Sequence, residues 1–234
     1  MKYKKYNTKF DFAYCFGYIP IIELLKSDHE IEEIFISTKL QPDETNNLKR
    51  LTAEKRITCT INNRLIEKIS FKENTLAVAA FRKYNKQIDR QSKQIVLINP
   101  SNPGNLGTIL RSMHAFGFKN LAIIKPAVDI YMPKVISASM GSFFNINIQY
   151  FDDLNAYLKS NELPVYILDS NAKEIFSKDL VKDENYVLMF GNESTGIPDY
   201  LLSKYNSFKI NQSNEVESLN LGISLSIVLS VLYN

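Results

Sequence analysis

Three stretches of this 234-residue sequence gather amides, hydroxyls, glycines and a charge directly after an apolar run. The first runs from Asn99 through Asn105 to Arg111. Its glycines, Gly104 and Gly107, are spaced G-x-x-G, which excludes the G-x-G-x-x-G dinucleotide fingerprint. What remains is an amide, Asn105, six residues before an arginine whose planar fork suits a phosphate. The alternative is a capped helix start followed by a surface arginine. The second stretch, Gly191-Asn192-Glu193-Ser194-Thr195-Gly196, has the outline of a P-loop. Ile197 and Pro198 stand where that loop needs Lys and Ser or Thr, so triphosphate cradling is excluded. Glu193 either fixes the loop by accepting backbone hydrogen bonds or acts on a ligand directly. The third, Ile210 to Asn220, leads into an apolar C-terminal run. Ser218 reads as the cap of that last helix, and Asn220 as an amide in its first turn that needs a partner.

The elements that position these stretches follow from periodicity. Ile95–Ile98, Leu121–Ile124, Val165–Leu168 and Tyr186–Phe190 are continuous apolar runs of the kind buried on both faces of a parallel sheet. A short strand is expected over Ser207–Ile210, with helices over Leu106–Phe116, over Met132–Ser139 and from Leu219. A helix starting at Leu106 puts Arg111 in its second turn. The last helix is apolar on nearly every side and is expected to be buried. Strand–helix alternation of this kind predicts an α/β fold with helices on both faces of a parallel sheet, and ligands beyond the carboxyl ends of its strands.

A smaller α/β domain precedes it. Helices are expected over Ile19–Lys26, Leu48–Lys55 and Leu65–Ile69, and strands over Ile31–Ser37, Ile57–Ile61 and Leu76–Phe81. Residues 83–94 contain Ile88 as their one aliphatic residue and read as a linker, giving segments 1–82, 83–94 and 95–234.

Composition is that of a globular protein, 45% apolar and 23% charged. Cys15 and Cys59 form neither a disulfide framework nor a metal cluster, so no metal is expected, and a reducing, cytoplasmic setting is. No signal peptide is expected behind the lysine-rich start, and Leu219–Tyr233 is too short and polar to span a membrane. The net charge of +3 conceals an asymmetry. Residues 1–94 hold 18 basic and 12 acidic side chains, whereas residues 95–234 hold 10 and 13. A basic first half predicts a polyanionic partner. Lys2, Lys4, Lys5 and Lys9 interleave with Tyr3 and Tyr6, and Arg82, Lys83, Lys86, Arg90 and Lys93 form a second cluster. Lysines attract phosphates and exposed tyrosines stack on unpaired bases.

N-x-G-x-x-x-R at Asn105–Arg111, G-x-E-x-x-G at Gly191–Gly196 and E-S-L-N at Glu217–Asn220 resemble the three motifs of the SpoU/TrmH family, in its order and spacing. That family comprises RNA ribose 2′-O-methyltransferases of the SPOUT superfamily. The resemblance covers residues 95–234; Ser139–Ser142 resembles a further family stretch, and residues 1–82 look like an L30e-like RNA-binding domain. It implies a C-terminal trefoil knot, a homodimer packed through the knotted domain, and S-adenosyl-L-methionine as cofactor. The substrate implied is structured RNA, ribosomal or transfer. By the same resemblance Arg111, Asn105, Glu193, Ser218 and Asn220 surround the reacting hydroxyl, and Gly191, Ile210, Leu219 and Leu168 hold the cofactor. Departures fall in the last loop: Asn211 replaces the usual Pro, Asn214 the usual Gly, and Gly222 a Ser or Thr. Two other readings remain at this point. One is a non-catalytic RNA-binding or ribosome-assembly protein; the other is a base methyltransferase of the same fold.

Overall fold

The computed structural model describes residues 3–213, 215–216 and 218–233. The chain divides into two compact units. One comprises residues up to Tyr84 together with Asp129–Asn145; the other comprises Asn85–Val128 and the residues from Ile146 onward.

The first unit is built on β1 (Phe12–Phe16), α1 (Tyr18–Lys26), β2 (Ile31–Ile36), α2 (Pro42–Glu54), β3 (Cys59–Ile61), α3 (Asn63–Ile69) and β4 (Ala77–Arg82). Its four strands lie in the order β1-β4-β2-β3, antiparallel except for the parallel β2/β3 pair. Tyr3, Phe12, Tyr14 and Phe35 pack edge to face in its core. Tyr3 is therefore buried rather than offered to a base, because its ring fills the space over β1. Arg82 is likewise engaged, with Asp11 and with Glu32 at 2.8 Å.

The second unit carries β5 (Gln94–Ile98), α4 (Pro103–Ala115) and β6 (Asn120–Ile124). The chain then crosses to the first unit for α5 (Pro133–Ala138) and a single 3-10 turn, Ser142–Asn145. It returns for β7 (Asn147–Phe151), α6 (Leu154–Lys159), β8 (Val165–Leu168), β9 (Glu174–Ile175), β10 (Val187–Phe190), α7 (Asp199–Leu202), β11 (Asn206–Lys209) and α8 (Leu221–Tyr233). All seven strands are parallel, ordered β7-β6-β5-β10-β8-β11-β9 and flanked by helices. The α/β expectation holds.

Several details differ. Residues 83–93 form no strand or helix, yet Ile88 is buried in the core of the second unit. The chain there is anchored by Ile88 N–H to Gln149 Oε1 (3.2 Å) and Asp89 N–H to Asn120 Oδ1 (2.9 Å). The last helix is not buried all round: Ile223, Ile227 and Val231 are exposed at four-residue spacing. The opposite side, with Gly222, Leu225, Val228 and Leu229, is buried, and α8 packs against α4. No helix among the described residues is long and apolar enough to cross a membrane.

Candidate active site

The parallel register fixes which strand ends meet. Phe190 at the end of β10 pairs with Leu168 at the end of β8, and Leu168 pairs with Phe208 in β11. Leu168, Gly191 and Ile210 thus lie within two residues of one row at the carboxyl edge of the sheet, where the three loops emerge.

The loop after β5 becomes helix α4 through two local signals. The Asn102 side-chain oxygen accepts the N–H groups of Gly104 (2.8 Å) and Asn105 (3.2 Å), and Pro103 occupies the first helical position. The helix therefore begins three residues before the expected Leu106. Arg111 stands in its third turn, not its second. Its guanidinium is exposed and makes no hydrogen bond or ion pair among the described residues.

The loop after β10 closes on itself. Asn192 N–H donates to the Gly196 carbonyl (3.2 Å) and Gly196 N–H returns the bond (3.0 Å), with Gly196 at φ +65°. A β-carbon on Gly191 would lie 2.3 Å from the Gly196 carbonyl carbon, so this position tolerates hydrogen only. The Asn192 side chain pins the loop twice: its amide donates to the Asn99 carbonyl (2.6 Å), and its oxygen accepts Ser194 N–H (2.8 Å) and Thr195 N–H (3.1 Å).

Glu193 projects from this loop toward the first. Its carboxylate accepts the Ser101 hydroxyl (3.1 Å), Ser101 N–H (3.4 Å) and the Asn105 amide (3.2 Å). Partial burial raises its pKa, but the bonds from its own N–H, Asn105 and Ser101 outweigh that and hold it below the usual range. It is an anion at neutral pH. Asn105 in turn accepts the Asn220 amide on its own Oδ1 (2.9 Å). A single chain of bonds, Ser101–Glu193–Asn105–Asn220, thereby ties the three loops together.

Asn220, not Ser218, caps α8. Its side-chain oxygen accepts Gly222 N–H (2.9 Å) and Ile223 N–H (3.4 Å), and its carbonyl accepts Ser224 N–H (2.9 Å). Ser218 lies two residues upstream, exposed. Asn220 thus has partners on both its amide and its oxygen. Gly222 also finds its reason: a β-carbon there would come within 3.3 Å of Asn220 Oδ1 and 3.4 Å of Thr108 Cγ2, where α8 meets α4. Asn214 and Glu217 lie outside the described residues.

Asn105, Glu193 and Asn220 are therefore brought together, Leu219 precedes Asn220 in sequence, and Arg111 and Ser218 do not bond to them. Ser101 joins the network without a sequence signal beyond its place in a Pro-Ser-Asn-Pro turn. Among the described residues no group of three or more His, Cys, Asp or Glu could hold a metal ion.

The three loops thus present an anionic, amide-linked cluster at the carboxyl edge of the parallel sheet. The chain matches the SpoU rRNA Methylase family model over residues 92–230, and it belongs to that family. It is 25% identical over 237 residues to the 23S rRNA (guanosine(2553)-2'-O)-methyltransferase RlmP of Bacillus subtilis (strain 168), covering 97% of this chain and 90% of that one. Over 150 residues it is 27% identical to the tRNA (cytidine/uridine-2'-O-)-methyltransferase TrmJ of Salmonella typhimurium, covering 59% of this chain and 62% of that one. Its fold is similar to the crystal structure of the SpoU methyltransferase AviRb from Streptomyces viridochromogenes in complex with AdoMet. The TM-score there is 0.83 at 18% identity, over 95% of this chain and 89% of that one.

Proposed function

We propose that this chain transfers a methyl group from S-adenosyl-L-methionine to a ribose 2′-hydroxyl of ribosomal or transfer RNA. The observation that carries the reading is the bonded chain Ser101–Glu193–Asn105–Asn220 at the carboxyl ends of β5 and β10 and the start of α8. The cofactor, when bound, supplies an electrophilic methyl on a sulfonium with a neutral thioether as leaving group. The residues present fit it. The ends of β8, β10 and β11 offer main-chain amides and carbonyls around Gly191 and Ile210, with Leu168, Ile210 and Leu219 as aliphatic surface for a purine.

The chemistry left to the protein is alignment and charge. Methylation forms a new O–CH3 bond, breaks S–CH3 and releases the hydroxyl proton. Glu193 is held ionised, too acidic to serve as a strong base, so its part is to lock Asn105 and to favour positive charge beside it. Asn105 and Asn220 orient each other and the sugar. Arg111, always protonated, grips the target nucleotide's phosphate, and Ser218 lines the approach to the hydroxyl.

The exposed stripe Ile223–Ile227–Val231 on α8 supports a homodimer packed through this domain, since an apolar face of that length is stable when covered. The strand order, with β10 entered between β5 and β8, is compatible with the family's trefoil knot. Residues 1–82 serve as an L30e-like RNA-binding domain, and the protein works without a metal, in the cytoplasm.

The test is product mapping. Full-length protein is incubated with methyl-tritiated S-adenosylmethionine and total bacterial RNA, and the RNA is hydrolysed in alkali. A 2′-O-methyl group blocks cleavage at its own phosphate, so label should emerge in alkali-resistant dinucleotides. Label in mononucleotides places the methyl on a base and overturns the reading, as does no incorporation.

A further inference from the structure

The first unit contains a cleft of about 560 Å³ beside α3 and the turn that leads into β4. Its lining includes Lys39, Glu67, Ser70, Phe71, Lys72 and Glu73. Phe71 is 44% exposed, and its ring is propped edge-on by Phe16, with centroids 5.1 Å apart. An aromatic face left to water on a rigid support is a stacking platform. Ser70 sits beside it. Its hydroxyl oxygen is buried yet has no hydrogen-bond partner among the described residues. A buried polar atom without a partner costs free energy unless something else supplies the bond.

The charges in the cleft decide what that something is. Two lysines and two glutamates line it, so it has no net charge, although the sequence up to residue 94 is strongly basic. A phosphate track would be lined by cations alone. Donors and acceptors together beside an aromatic face suit the edge of a nucleobase instead, since base contacts, not phosphate contacts, carry specificity. Carboxylates accept from an exocyclic amine, which cytosine, adenine and guanine have and uracil lacks. Lys72 reaches Ser137 Oγ at 3.3 Å, and its ammonium lies over the Phe71 ring 5.7 Å from the centre, where a stacked base would meet it. The volume accommodates one nucleotide.

We infer that this cleft binds a single unpaired, amine-bearing nucleotide of the RNA substrate, stacked on Phe71 and read by Ser70 and the two glutamates. The inference rests on the RNA-methyltransferase reading and adds a second point of contact, remote in sequence from the methyl-transfer loops. RNA is thereby selected by an extruded base as well as by its reacting ribose.

The test uses the full chain and fluorescein-labelled oligoribonucleotides: hexamers of C, of A and of U, and a short duplex, read by anisotropy. C and A hexamers should bind more tightly than U. Phe71→Ala should weaken hexamer binding by roughly tenfold or more while leaving the duplex unchanged, and Phe71→Tyr should restore it. Glu67→Gln with Glu73→Gln should erase the preference over U. Wild-type hexamer affinity in Phe71→Ala, or equal losses for hexamer and duplex, would overturn the inference. Methyl incorporation into total RNA is measured on the same preparations. A protein that methylates RNA but ignores Phe71 fails the cleft alone. One that shows the Phe71 dependence but transfers no methyl fails the enzymatic reading and leaves the cleft standing.

Discussion

Asn220 donates its amide to the side-chain oxygen of Asn105 at 2.9 Å, across 115 positions of sequence. The same Asn220 caps α8 through its oxygen. One amide therefore has two duties that substitution can separate. Asn220→Asp keeps the acceptor for the cap and loses the donor, and it sets a second carboxylate near Glu193. It should melt within a degree or two of wild type while methyl transfer falls by at least tenfold. Asn220→Ala loses both duties and should in addition lose about 1 kcal/mol of stability. Thermal melts beside single-turnover methylation separate the two; an active Asn220→Asp removes the residue from the site.

Glu193 gives a pH signature. Its folded pKa lies below that of a free glutamate, so its contribution to stability is complete above the unfolded value and is lost as pH falls through the folded one. Glu193→Gln should lower the melting temperature at pH 7 and converge with wild type only once the pH has fallen below the folded pKa, beneath the ordinary glutamate range. A constant difference between the two melting curves down to low pH would contradict the assigned bonds.

Arg111 is exposed and makes no hydrogen bond or ion pair among the described residues, so its charge supports no described contact of the fold. Arg111→Ala should change stability by less than about 0.5 kcal/mol and leave S-adenosylmethionine affinity intact by calorimetry. Turnover on RNA should drop by two orders of magnitude or so, since the phosphate loses its grip. Wild-type turnover in this variant refutes the role.

Gly191 admits no side chain, because a β-carbon there would strike the Gly196 backbone at 2.3 Å. Gly191→Ala should open the loop, displace Glu193 and weaken cofactor binding at least tenfold, with the rest of the fold retained by circular dichroism. Calorimetric titration with S-adenosylmethionine checks it.

The exposed face of α8 makes a prediction about assembly. Ile223→Glu with Ile227→Glu places two charges on the apolar stripe and should convert a dimer to a monomer in sedimentation velocity, without unfolding it. A wild-type protein that is already monomeric at micromolar concentration excludes this face as an interface.

Much of the second unit was legible in advance. Strands buried on both faces declare themselves as unbroken apolar runs, and β5, β6, β8 and β10 were located to within a residue. Elements with weaker patterns were not. β7 is an edge strand with only Ile148 and Phe151 buried, β9 has two residues and α7 has four, while α6 is a single six-residue stretch. β1, with the sequence FAYCF, is as apolar as the central strands, but a run of five does not tell a strand from a buried helical turn. The site was legible as residue types in three loops, but its wiring was not. That Glu193 reaches back to Ser101, and that Asn220 rather than Ser218 caps α8, depends on where the loops meet in space. The same holds for Asp129–Asn145, which lie within the stretch read as the methyltransferase domain yet pack with the first unit. Periodicity reports which face of an element is buried, not which neighbour buries it.

The strand order has a consequence for how the chain is made. Synthesis delivers β5, β6 and β7 first, leaving one edge of β5 without a neighbour until residue 187 has emerged. β8 is complete by then, yet it cannot pair with β5, because β10 belongs between them. The sheet's last central strand must therefore enter a gap flanked by strands already translated. Such late, long-range closure is slow and leaves apolar edges exposed meanwhile.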